Sequence, residues 1–475
     1  MPDPFSWHPE PELIGFRDPG EARAALEELG RLTWGSALDW LYEDAMRRPV
    51  PTESYPEMRR KFFGSANEPA PPPEKPAGSS EVLAEFRERV APFAFSSQHP
   101  GSYSYFTPPP LPMSIAGEVL AQWLNQGVDV WAAGPIGAFV EEEVTAWLRE
   151  LVGFGEGSWG VLTSGGVMAN IMALAAARDV HLAVLLGRSD PPRGSALEGV
   201  RVYASDQAHF SIERGLSVLG FPPETLRIVP SDERFRLQGG PVAEAVAEDR
   251  ASGLLPFAIA AVSGSTNTGS VDLVGELADI AERERMWLHV DAAYGGGARF
   301  SKRDAGRVPD LERADFHREP EYYRYPNPED APLNWMQYSI EGTRRFRALK
   351  LWTSWKHLGT EGFGRLIEHN DDLAAYLVTR CNESGEFEVV PDEPELSVVC
   401  FRHIPPELDP SKLDAYQDRL QRALELSGKG WVSTTKLRGR TYLRAGVVNY
   451  LSTEADVDRV LDALRRLSKE AAAGV

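Results

Sequence analysis

The sequence predicts an α/β fold in which a mostly parallel sheet lies between helices, and two observations support this. Between residues 160 and 290, short apolar runs alternate with helical stretches, which is the pattern of a parallel sheet covered on both faces. Residues 287–290 form a short, bulky, apolar run between the charged run 282–285 and three glycines, which is typical of a buried strand. With 475 residues, of which 42% are hydrophobic, the chain can bury a large core in two or three domains.

The sequence of residues 1–98 predicts a helical arm and a linker. Apolar residues recur at spacings of three and four in residues 21–45, which predicts a helix. Residues 67–80 are too rich in proline for a helix or a strand interior, and a short helix is expected at 81–90. Arms of this kind often pack on a partner subunit.

Residues 99–370 predict the large α/β domain. Helices are expected at 113–125 and 138–152, and residues 160–163 predict a strand that leads through a glycine turn into another helix. A long helix is expected to begin after Arg347 and to run to Gly362. The other elements expected in this domain are strands at 200–204, 257–262 and 287–290 and helices at 169–178 and 273–285.

Residues 371–475 predict a small C-terminal α+β domain. The expected elements alternate as strand, helix, strand and helix, at 397–401, 412–426, 442–448 and 454–467.

Composition excludes several classes of partner. The net charge of −20 disfavours binding to nucleic acids and to anionic membrane surfaces, but it allows a small anionic ligand. Cys381 and Cys400 are the two cysteines, and neither has metal-ligand spacing, so neither a zinc site nor a disulfide framework is expected. No signal peptide is recognisable and no apolar run approaches 18 residues. A cytoplasmic location without membrane contact is therefore expected.

Asp291 follows the predicted strand 287–290 at its carboxyl end, where open α/β sheets bind their ligands. A lone carboxylate is costly there unless a cation or a hydrogen-bond donor meets it. Taken alone, Asp291 is equally compatible with a residue that caps a turn or a helix. The other strand ends must distinguish these alternatives.

Polar residues follow three further predicted elements. Residues 162–170 read as strand, glycine turn and helix start, and the free N–H groups of such a turn favour an anion such as phosphate. This turn fits neither the dinucleotide-binding nor the P-loop pattern, and glycine turns of this kind are common. His209 lies just beyond the strand 200–204, where a structural histidine is the alternative, and a hydroxyl-rich turn occupies 263–269. The four polar turns are expected to converge on one crevice.

Five sequence blocks in this order carry a resemblance: T-S-G-G-x-x-A-N, Y-x-S-D-Q-A-H-x-S, G-S-T-N-T-G, H-V-D-A-A-Y-G-G and R-R-F-R-A-L-K-L-W. Over nearly its whole length the chain resembles the pyridoxal-phosphate-dependent group II decarboxylases, which act on aromatic amino acids, glutamate, histidine or diaminobutyrate. The resemblance implies the aspartate-aminotransferase-like fold type I, pyridoxal 5'-phosphate as cofactor, an L-amino acid as substrate and a homodimer.

The resemblance also implies roles for individual residues. Asp291 would face the pyridine nitrogen and favour the protonated ring, and His209 would stack on the ring face. Tyr338 would lie near the tyrosine that protonates the carbanion in several relatives. The cofactor would also be held by small and hydroxyl residues, with Ser265 or Thr266 assisting at the phosphate: Ser164, Gly165, Gly166, Ser265, Thr266 and Ala293. The substrate side would include Tyr105, Pro112 and Trp131.

One part of the family pattern is missing. Relatives carry the Schiff-base lysine in a His-Lys pair after an Ala-Asp, but here Asp315 runs directly into a segment that lies about thirty residues further on in relatives. Two strands after residue 315 are therefore expected to be absent. Lys302 is the least unsuitable substitute, whereas Lys356 is expected to have a packing role. An in-frame deletion or gene-model error, a degenerate homologue and a rerouted chain remain open explanations.

The sequence thus supports two functions from different classes. The first is a pyridoxal-phosphate-dependent decarboxylase of an L-amino acid, and the second is a catalytically impaired homologue that binds the cofactor or a partner. Another reaction on the same fold, such as that of an aminotransferase, would also require the lysine. Tyr103, Tyr105 and Phe106 favour an aromatic or bulky substrate, although they could equally form a core edge.

Overall fold

The computed structural model describes residues 19–65, 67–75, 77–155, 157–315 and 334–473. The chain forms two compact units, one of Met1–Pro109 with Arg402–Val475 and the other of Pro110–Phe401. The division into 1–98, 99–370 and 371–475 stays a prediction. Residue 370 lies in the helix Ala348–Ser384, and the Tyr103 N–H donates to the Trp431 carbonyl at 2.8 Å within the first unit.

The N-terminal part of the first unit is helical, as predicted. Helix α1 (Pro19–Asp39) continues as a π-helix, Trp40–Ala45, and α2 (Tyr55–Phe63) begins with a capping box between Ser54 and Glu57. Helix α3 (Ser79–Glu85) continues as Phe86–Val90, in agreement with the helix expected at 81–90.

The second unit contains a four-stranded parallel sheet in the order β2-β1-β3-β4. The strands predicted at 200–204, 257–262 and 287–290 are confirmed, and only the short β2 was not expected. Seven of the eight residues of β3 are buried, as a parallel strand covered on both faces requires. The strands are β1 (Val200–Ser205), β2 (Leu226–Val229), β3 (Leu255–Val262) and β4 (Trp287–Asp291).

Helices cover both faces of this sheet. On one face, Ile259 and Leu288 pack with apolar residues of α8 (Gly239–Ala251) and α9 (Val274–Glu284). On the other face, Ala258 and Trp287 pack with those of α6 (Gly166–Ala176) and α7 (Ser211–Val218). Helix α6 continues as Ala177–Leu182 and Ala183–Leu185. The helices of this unit are α4 (Pro112–Leu124), α5 (Pro135–Val152), α6 (Gly166–Ala176), α7 (Ser211–Val218), α8 (Gly239–Ala251), α9 (Val274–Glu284) and α10 (Ala348–Ser384).

The strand predicted at 160–163 is wrong, because side chains satisfy its backbone. The Leu162 N–H donates to Glu141 Oε1 at 2.9 Å, and its carbonyl accepts from Arg344 Nη2 at 2.6 Å. Within the described residues β4 pairs with one strand, β3. On its other side the Leu288 carbonyl accepts from the Asp315 N–H, and the Leu288 N–H donates to Asp315 Oδ2. The segment 160–163 therefore has no neighbouring strand in the part of the chain that the structure describes.

The long helix that was predicted to end at Gly362 is interrupted at Gly359, whose backbone is not helical (φ +65°, ψ 171°). Helix α10 therefore consists of two segments joined at this kink, and the second segment, which extends to Ser384, was not predicted. At Gly364 a Cβ atom would lie 2.7 Å from the Phe300 carbonyl oxygen, so glycine there allows the helix to pack closely on residues 300–301.

The segment Gly166–Leu185 is long and apolar enough to cross a membrane by length and composition, which the sequence analysis did not expect. Leu174, Ala177 and Leu182 in this segment are fully buried beside β1 and β3. Packing in the core accounts for part of this apolar composition, since 33% of the most apolar stretch of the segment is buried.

The C-terminal elements alternate as predicted. Strands β5 (Phe387–Val390) and β6 (Val398–His403) precede α11 (Leu413–Ser427), and α12 (Glu454–Ala473) ends the described chain. Between these helices, β7 (Ser433–Leu437) and β8 (Arg440–Gly446) pair antiparallel, of which only the second was expected.

Candidate active site

Asp291 is the last residue of β4 and lies beside Val262, the last residue of β3. It is 9% exposed, and both of its carboxylate oxygens accept hydrogen bonds. Oδ2 accepts from Asn170 Nδ2 at 2.8 Å, and Oδ1 accepts from the Ala293 N–H at 3.1 Å. These donors explain how a carboxylate is tolerated at the carboxyl edge of the sheet.

Asn170, in the second turn of α6, connects four side chains. Its Nδ2 donates to Ser211 Oγ at 2.7 Å as well as to Asp291, and its Oδ1 accepts from His289 Nε2 at 2.9 Å. Ser211 Oγ in turn donates to His209 Nδ1 at 2.7 Å. Burial lowers the pKa of His289, which is therefore neutral with its proton on Nε2. The network orients the His209 ring and gives the Asp291 carboxyl group an amide donor.

Sequence reasoning missed Asn170, Ser211 and His289 as members of this site, although two signals were available. Side chains alternate along a strand, so His289 and Asp291 must share a face of β4. Asn170 closes the T-S-G-G-x-x-A-N block.

The glycine turn before α6 reaches Ala293. A Cβ atom added to Gly166 would lie 3.7 Å from the Ala293 Cβ, which is van der Waals distance, so these two segments approach each other closely. Ser164, Gly165 and Gly166 are exposed, and the first N–H groups of α6 have no acceptor within the helix. Ser164 lies close to Glu341, whose pKa is lowered mainly by its hydrogen bond with Arg347.

The turn after β3 meets the turns after β1 and β4. Asn267 Nδ2 donates to Gln207 Oε1 at 3.2 Å, and the Ser263 N–H donates to the Asp291 carbonyl at 2.9 Å. At Gly264, with φ +90°, a Cβ atom would lie 2.8 Å from the Gly295 nitrogen, so glycine permits this crossing. The four polar turns thus lie together, as expected from the sequence.

The two hydroxyl residues proposed for the phosphate differ in their surroundings. Ser265 is 1% exposed, and its hydroxyl is hydrogen-bonded to Thr268 Oγ1 at 2.8 Å inside its own turn. Thr266 is exposed. Exposure therefore favours Thr266 over Ser265 as a donor to a ligand, and both assignments stay predictions.

Tyr338 packs in an aromatic cluster, with its ring 5.2 Å from Trp159 and 6.4 Å from the buried Trp335. The next residue, Ser339, contacts Met172 of α6 through its hydroxyl. The loop of Tyr338 therefore approaches the helix that carries Asn170, and the role of Tyr338 in proton transfer stays a prediction.

The residues predicted for the substrate side lie in different places. The Trp131 N–H donates to Asn334 Oδ1 at 2.9 Å, and Pro112 is the exposed first residue of α4. Tyr105 belongs to the first unit, where its ring packs edge-on against Trp431 at 5.2 Å. Buried Tyr103 hydrogen-bonds to β8 at Gly446, which favours the core-edge interpretation for Tyr103.

None of the nine lysines in the sequence is buried; each one lies in the described residues and is exposed. The neighbours of Lys302 are attached to α10, since Ser301 donates to Glu368 at 2.6 Å and Arg303 to Asp372 at 2.8 Å. Lys356 lies over the Trp147 ring at 4.8 Å and pairs with Glu143, so its predicted packing role is confirmed.

A model of the pyridoxal-dependent decarboxylase conserved domain matches residues 64–320 and 314–404. The chain belongs to the pyridoxal-dependent decarboxylase family. The two matched segments of this family model meet at 314–320, where the sequence analysis expected a segment to be missing.

Two curated members of this decarboxylase family illustrate the relationship. The aromatic-L-amino-acid decarboxylase of Bacillus atrophaeus is 29% identical over 430 residues, which cover 84% of this chain and 87% of the relative. The L-2,4-diaminobutyrate decarboxylase of Rhizobium meliloti (strain 1021) is 31% identical over 433 residues, 84% of each chain.

Solved decarboxylase structures have the same fold. The crystal structure of mouse CSAD superposes with a TM-score of 0.85 at 25% identity, covering 95% of this chain and 99% of that one. The glutamate decarboxylase domain of a Vibrio parahaemolyticus protein gives 0.85 at 24% identity, covering 98% and 100%. The predicted fold type I, with a parallel sheet between helices and a C-terminal α+β part, is confirmed.

The cofactor of this decarboxylase family is pyridoxal phosphate, and most of the site fits it. Asp291 offers a buried carboxylate for a ring nitrogen, and its neighbour Ala293 has only a methyl side chain. The exposed start of α6 offers N–H groups for a phosphate. All nine lysines are exposed, and none of them is hydrogen-bonded to Asp291 in the part of the chain that the structure describes. The covalent attachment that the family uses therefore does not fit this chain.

Proposed function

We propose that this chain is a pyridoxal-phosphate-dependent decarboxylase of an L-amino acid. The observation that supports the proposal most is the hydrogen-bond chain from Asp291 through Asn170 and Ser211 to His209. These hydrogen bonds connect three of the turns that the family places around its cofactor, and they hold the Asp291 carboxyl group and the His209 imidazole in fixed orientations.

The residues of this chain would divide the work as follows. Asp291 would hold the ring nitrogen protonated, and His209 would stack on the ring with its Nε2 proton directed away from Ser211. The start of α6 and Thr266 would bind the phosphate. When bound, pyridoxal phosphate withdraws electrons from the α-carbon of the amino acid, so that the carboxylate can leave as CO₂. Tyr338 is the proposed donor of the proton that replaces it.

The substrate class is broad. The relatives named above act, by their names, on aromatic amino acids and on diaminobutyrate, and others are cysteine sulfinic acid decarboxylases. Exposed Tyr105 favours a substrate with an aromatic or bulky side chain, whereas Tyr103 is buried and gives no information about the substrate.

A second candidate function is favoured by the lysines. Because all nine are exposed and the loop of Lys302 is attached to α10, the chain would bind pyridoxal phosphate by contacts alone. Turnover would then be orders of magnitude slower than with a covalent lysine, and the chain would act as a cofactor-binding homologue.

One experiment separates the two functions. The full chain is titrated with pyridoxal phosphate by absorbance, reduced with borohydride and mapped by peptide mass spectrometry, and CO₂ release is measured with aromatic amino acids, diaminobutyrate and cysteine sulfinate. CO₂ release supports the decarboxylase, and a labelled lysine would identify its attachment site. Cofactor binding with neither CO₂ release nor a labelled lysine supports the second function. Absence of cofactor binding would contradict both.

We also propose that the chain acts as a homodimer, as its family resemblance implies. Large apolar side chains are exposed in α4 and at the start of α5, which is typical of a surface that a partner covers. These residues are 51–59% exposed: Leu120, Trp123, Leu124, Ile136 and Phe139.

A further inference from the structure

The second unit contains a cavity of about 520 Å³ whose lining includes none of the residues assigned to the candidate active site. It lies between the C-terminal half of α10, Arg307 and the segment 392–396. Its volume falls within the range of small-molecule sites. The walls combine apolar side chains, among them Val378 and Leu396, with charged residues of both signs.

Asp371 contributes a buried acceptor to this cavity. The residue is 6% exposed, and its Oδ2 has no hydrogen-bond partner in the part of the chain that the structure describes. The cation paired with it is Arg307, whose Nη1 lies 3.7 Å from Oδ2, beyond hydrogen-bond distance. Burial raises the pKa of Asp371 to about 7. A carboxylate in this state gains free energy from any ligand that offers a charged donor.

Arg234 contributes a guanidinium group to the lining of the same cavity, and its side chain is 38% exposed. Its Nε has no hydrogen-bond partner among the described residues, and Glu395 Oε1 lies 4.0 Å away. The Glu395 carboxylate is engaged elsewhere, because it accepts from the Val271 N–H and lies 3.6 Å from Arg236. Glu395 therefore does not satisfy Arg234 Nε.

Arg307 and Arg234 both lie close to Glu395. Arg307 Nη1 donates to the Glu395 carbonyl at 3.3 Å and pairs with Asp371, while Arg234 approaches the Glu395 carboxylate. The Asp371 carboxylate favours a cationic donor and the Arg234 guanidinium favours an anionic acceptor, so this lining suits a ligand that carries both charges. The apolar walls add room for a hydrocarbon side chain.

We propose that this cavity binds a free zwitterionic amino acid with an apolar side chain, through its ammonium group at Asp371 and its carboxylate at Arg234. The site is additional to the proposed function and does not depend on it. Binding here would respond to the concentration of amino acids without using the residues around Asp291.

The test uses the full chain without added cofactor and isothermal titration calorimetry. The probes are L-phenylalanine, 2-phenylethylamine, which lacks the carboxylate, and 3-phenylpropionate, which lacks the ammonium group. We expect L-phenylalanine to bind with one site per chain and each of the other probes to bind at least tenfold more weakly. Equal binding of the amine or the acid would overturn the proposal.

Variants locate the binding. Asp371→Asn and Ala375→Trp, which fills the cavity from an exposed alanine of α10, should each weaken L-phenylalanine binding at least tenfold. The matched control Asp372→Asn changes an exposed neighbour that pairs with Arg303 and should leave binding unchanged. Unchanged binding in Ala375→Trp would overturn the proposal even if Asp371→Asn fails to fold.

A final variant separates this site from the active site. Asp291→Asn should leave L-phenylalanine binding intact, whatever its effect on pyridoxal phosphate. Loss of L-phenylalanine binding in Asp291→Asn, with Ala375→Trp unaffected, would assign the binding to the active site and overturn the proposal.

Discussion

At the scale of single residues, Asn170 and Asp291 set the character of the site. The amide group of Asn170 uses both of its hydrogens and its oxygen, so rotation of this side chain would break contacts with Ser211, Asp291 and His289 together. Every partner is buried, and an unsatisfied buried polar group costs about 1–3 kcal/mol. The orientation of the Asp291 carboxylate is therefore determined by neighbours from α6 and β4.

Replacing Asp291 should weaken cofactor binding. Asp291→Asn removes the negative charge that would pair with a protonated ring nitrogen, and hydrogen bonds to charged groups contribute about 1.5–3 kcal/mol. We expect the dissociation constant for pyridoxal phosphate, measured by absorbance titration, to rise about 10- to 100-fold. Asp279→Asn, which changes an exposed carboxylate on α9, is the control. Equal affinity in Asp291→Asn and the unchanged chain would show that the cofactor binds elsewhere.

Replacing Glu341 should have the opposite effect. Glu341 lies close to Ser164, a residue proposed to bind the phosphate, and its carboxylate would repel an anion there. We expect Glu341→Gln to tighten pyridoxal phosphate binding several-fold, measured by the same titration, because charge repulsion is relieved. Glu118→Gln, which changes a half-exposed carboxylate paired with Arg345, should leave the affinity unchanged. Weaker binding in Glu341→Gln would contradict phosphate binding at Ser164.

At the scale of elements, the buried pair of Glu141 and Arg344 takes the place of a strand ladder at Leu162. Both side chains are 1% exposed, and together they satisfy the N–H and the carbonyl of Leu162. Arg344 also donates to the Val128 carbonyl and lies over the Trp335 ring. These contacts hold the segment that leads into the glycine turn and α6.

Removing Arg344 should strongly destabilise the protein. Arg344→Met leaves the Glu141 carboxylate buried without its cation, and breaking a buried pair in this way costs about 3–5 kcal/mol. We expect the free energy of unfolding, measured by urea denaturation, to fall by this amount. Arg345→Met is a matched control, because Arg345 is exposed and pairs with half-exposed Glu118, a contact worth about 0–1 kcal/mol. A loss in Arg344→Met no larger than in the control would contradict the structural role assigned to the pair.

At the scale of the whole molecule, the exposed apolar residues of α4 and α5 support self-association. We expect sedimentation velocity to give a dimer, and Trp123→Glu to shift it towards monomer because a charge would be buried in the contact. Val218→Glu, which changes a residue of α7 that is 65% exposed, should leave the dimer intact. A monomer at all concentrations would contradict the homodimer proposed for this chain.

Much of the fold and part of the site could be predicted from the sequence. The strands 200–204, 257–262 and 287–290 were found because buried parallel strands are short apolar runs between turn residues. Asp291 and His209 were found because they follow such strands directly. The absence of the lysine segment could also be predicted, because the order and spacing of sequence motifs are read directly from the sequence.

The tertiary structure decided what the sequence could not. Residues 160–163 have the composition of a strand, but a strand forms only where a neighbour accepts its hydrogen bonds, and at Leu162 the acceptor and donor are Glu141 and Arg344. Asn170 and Asp291 are 121 residues apart in the chain, so their hydrogen bond has no local signal. Sequence by itself determined the family, the order of the strands along the chain and the missing lysine. Contacts between distant residues determined which polar groups are satisfied, and therefore which remain free to bind a ligand.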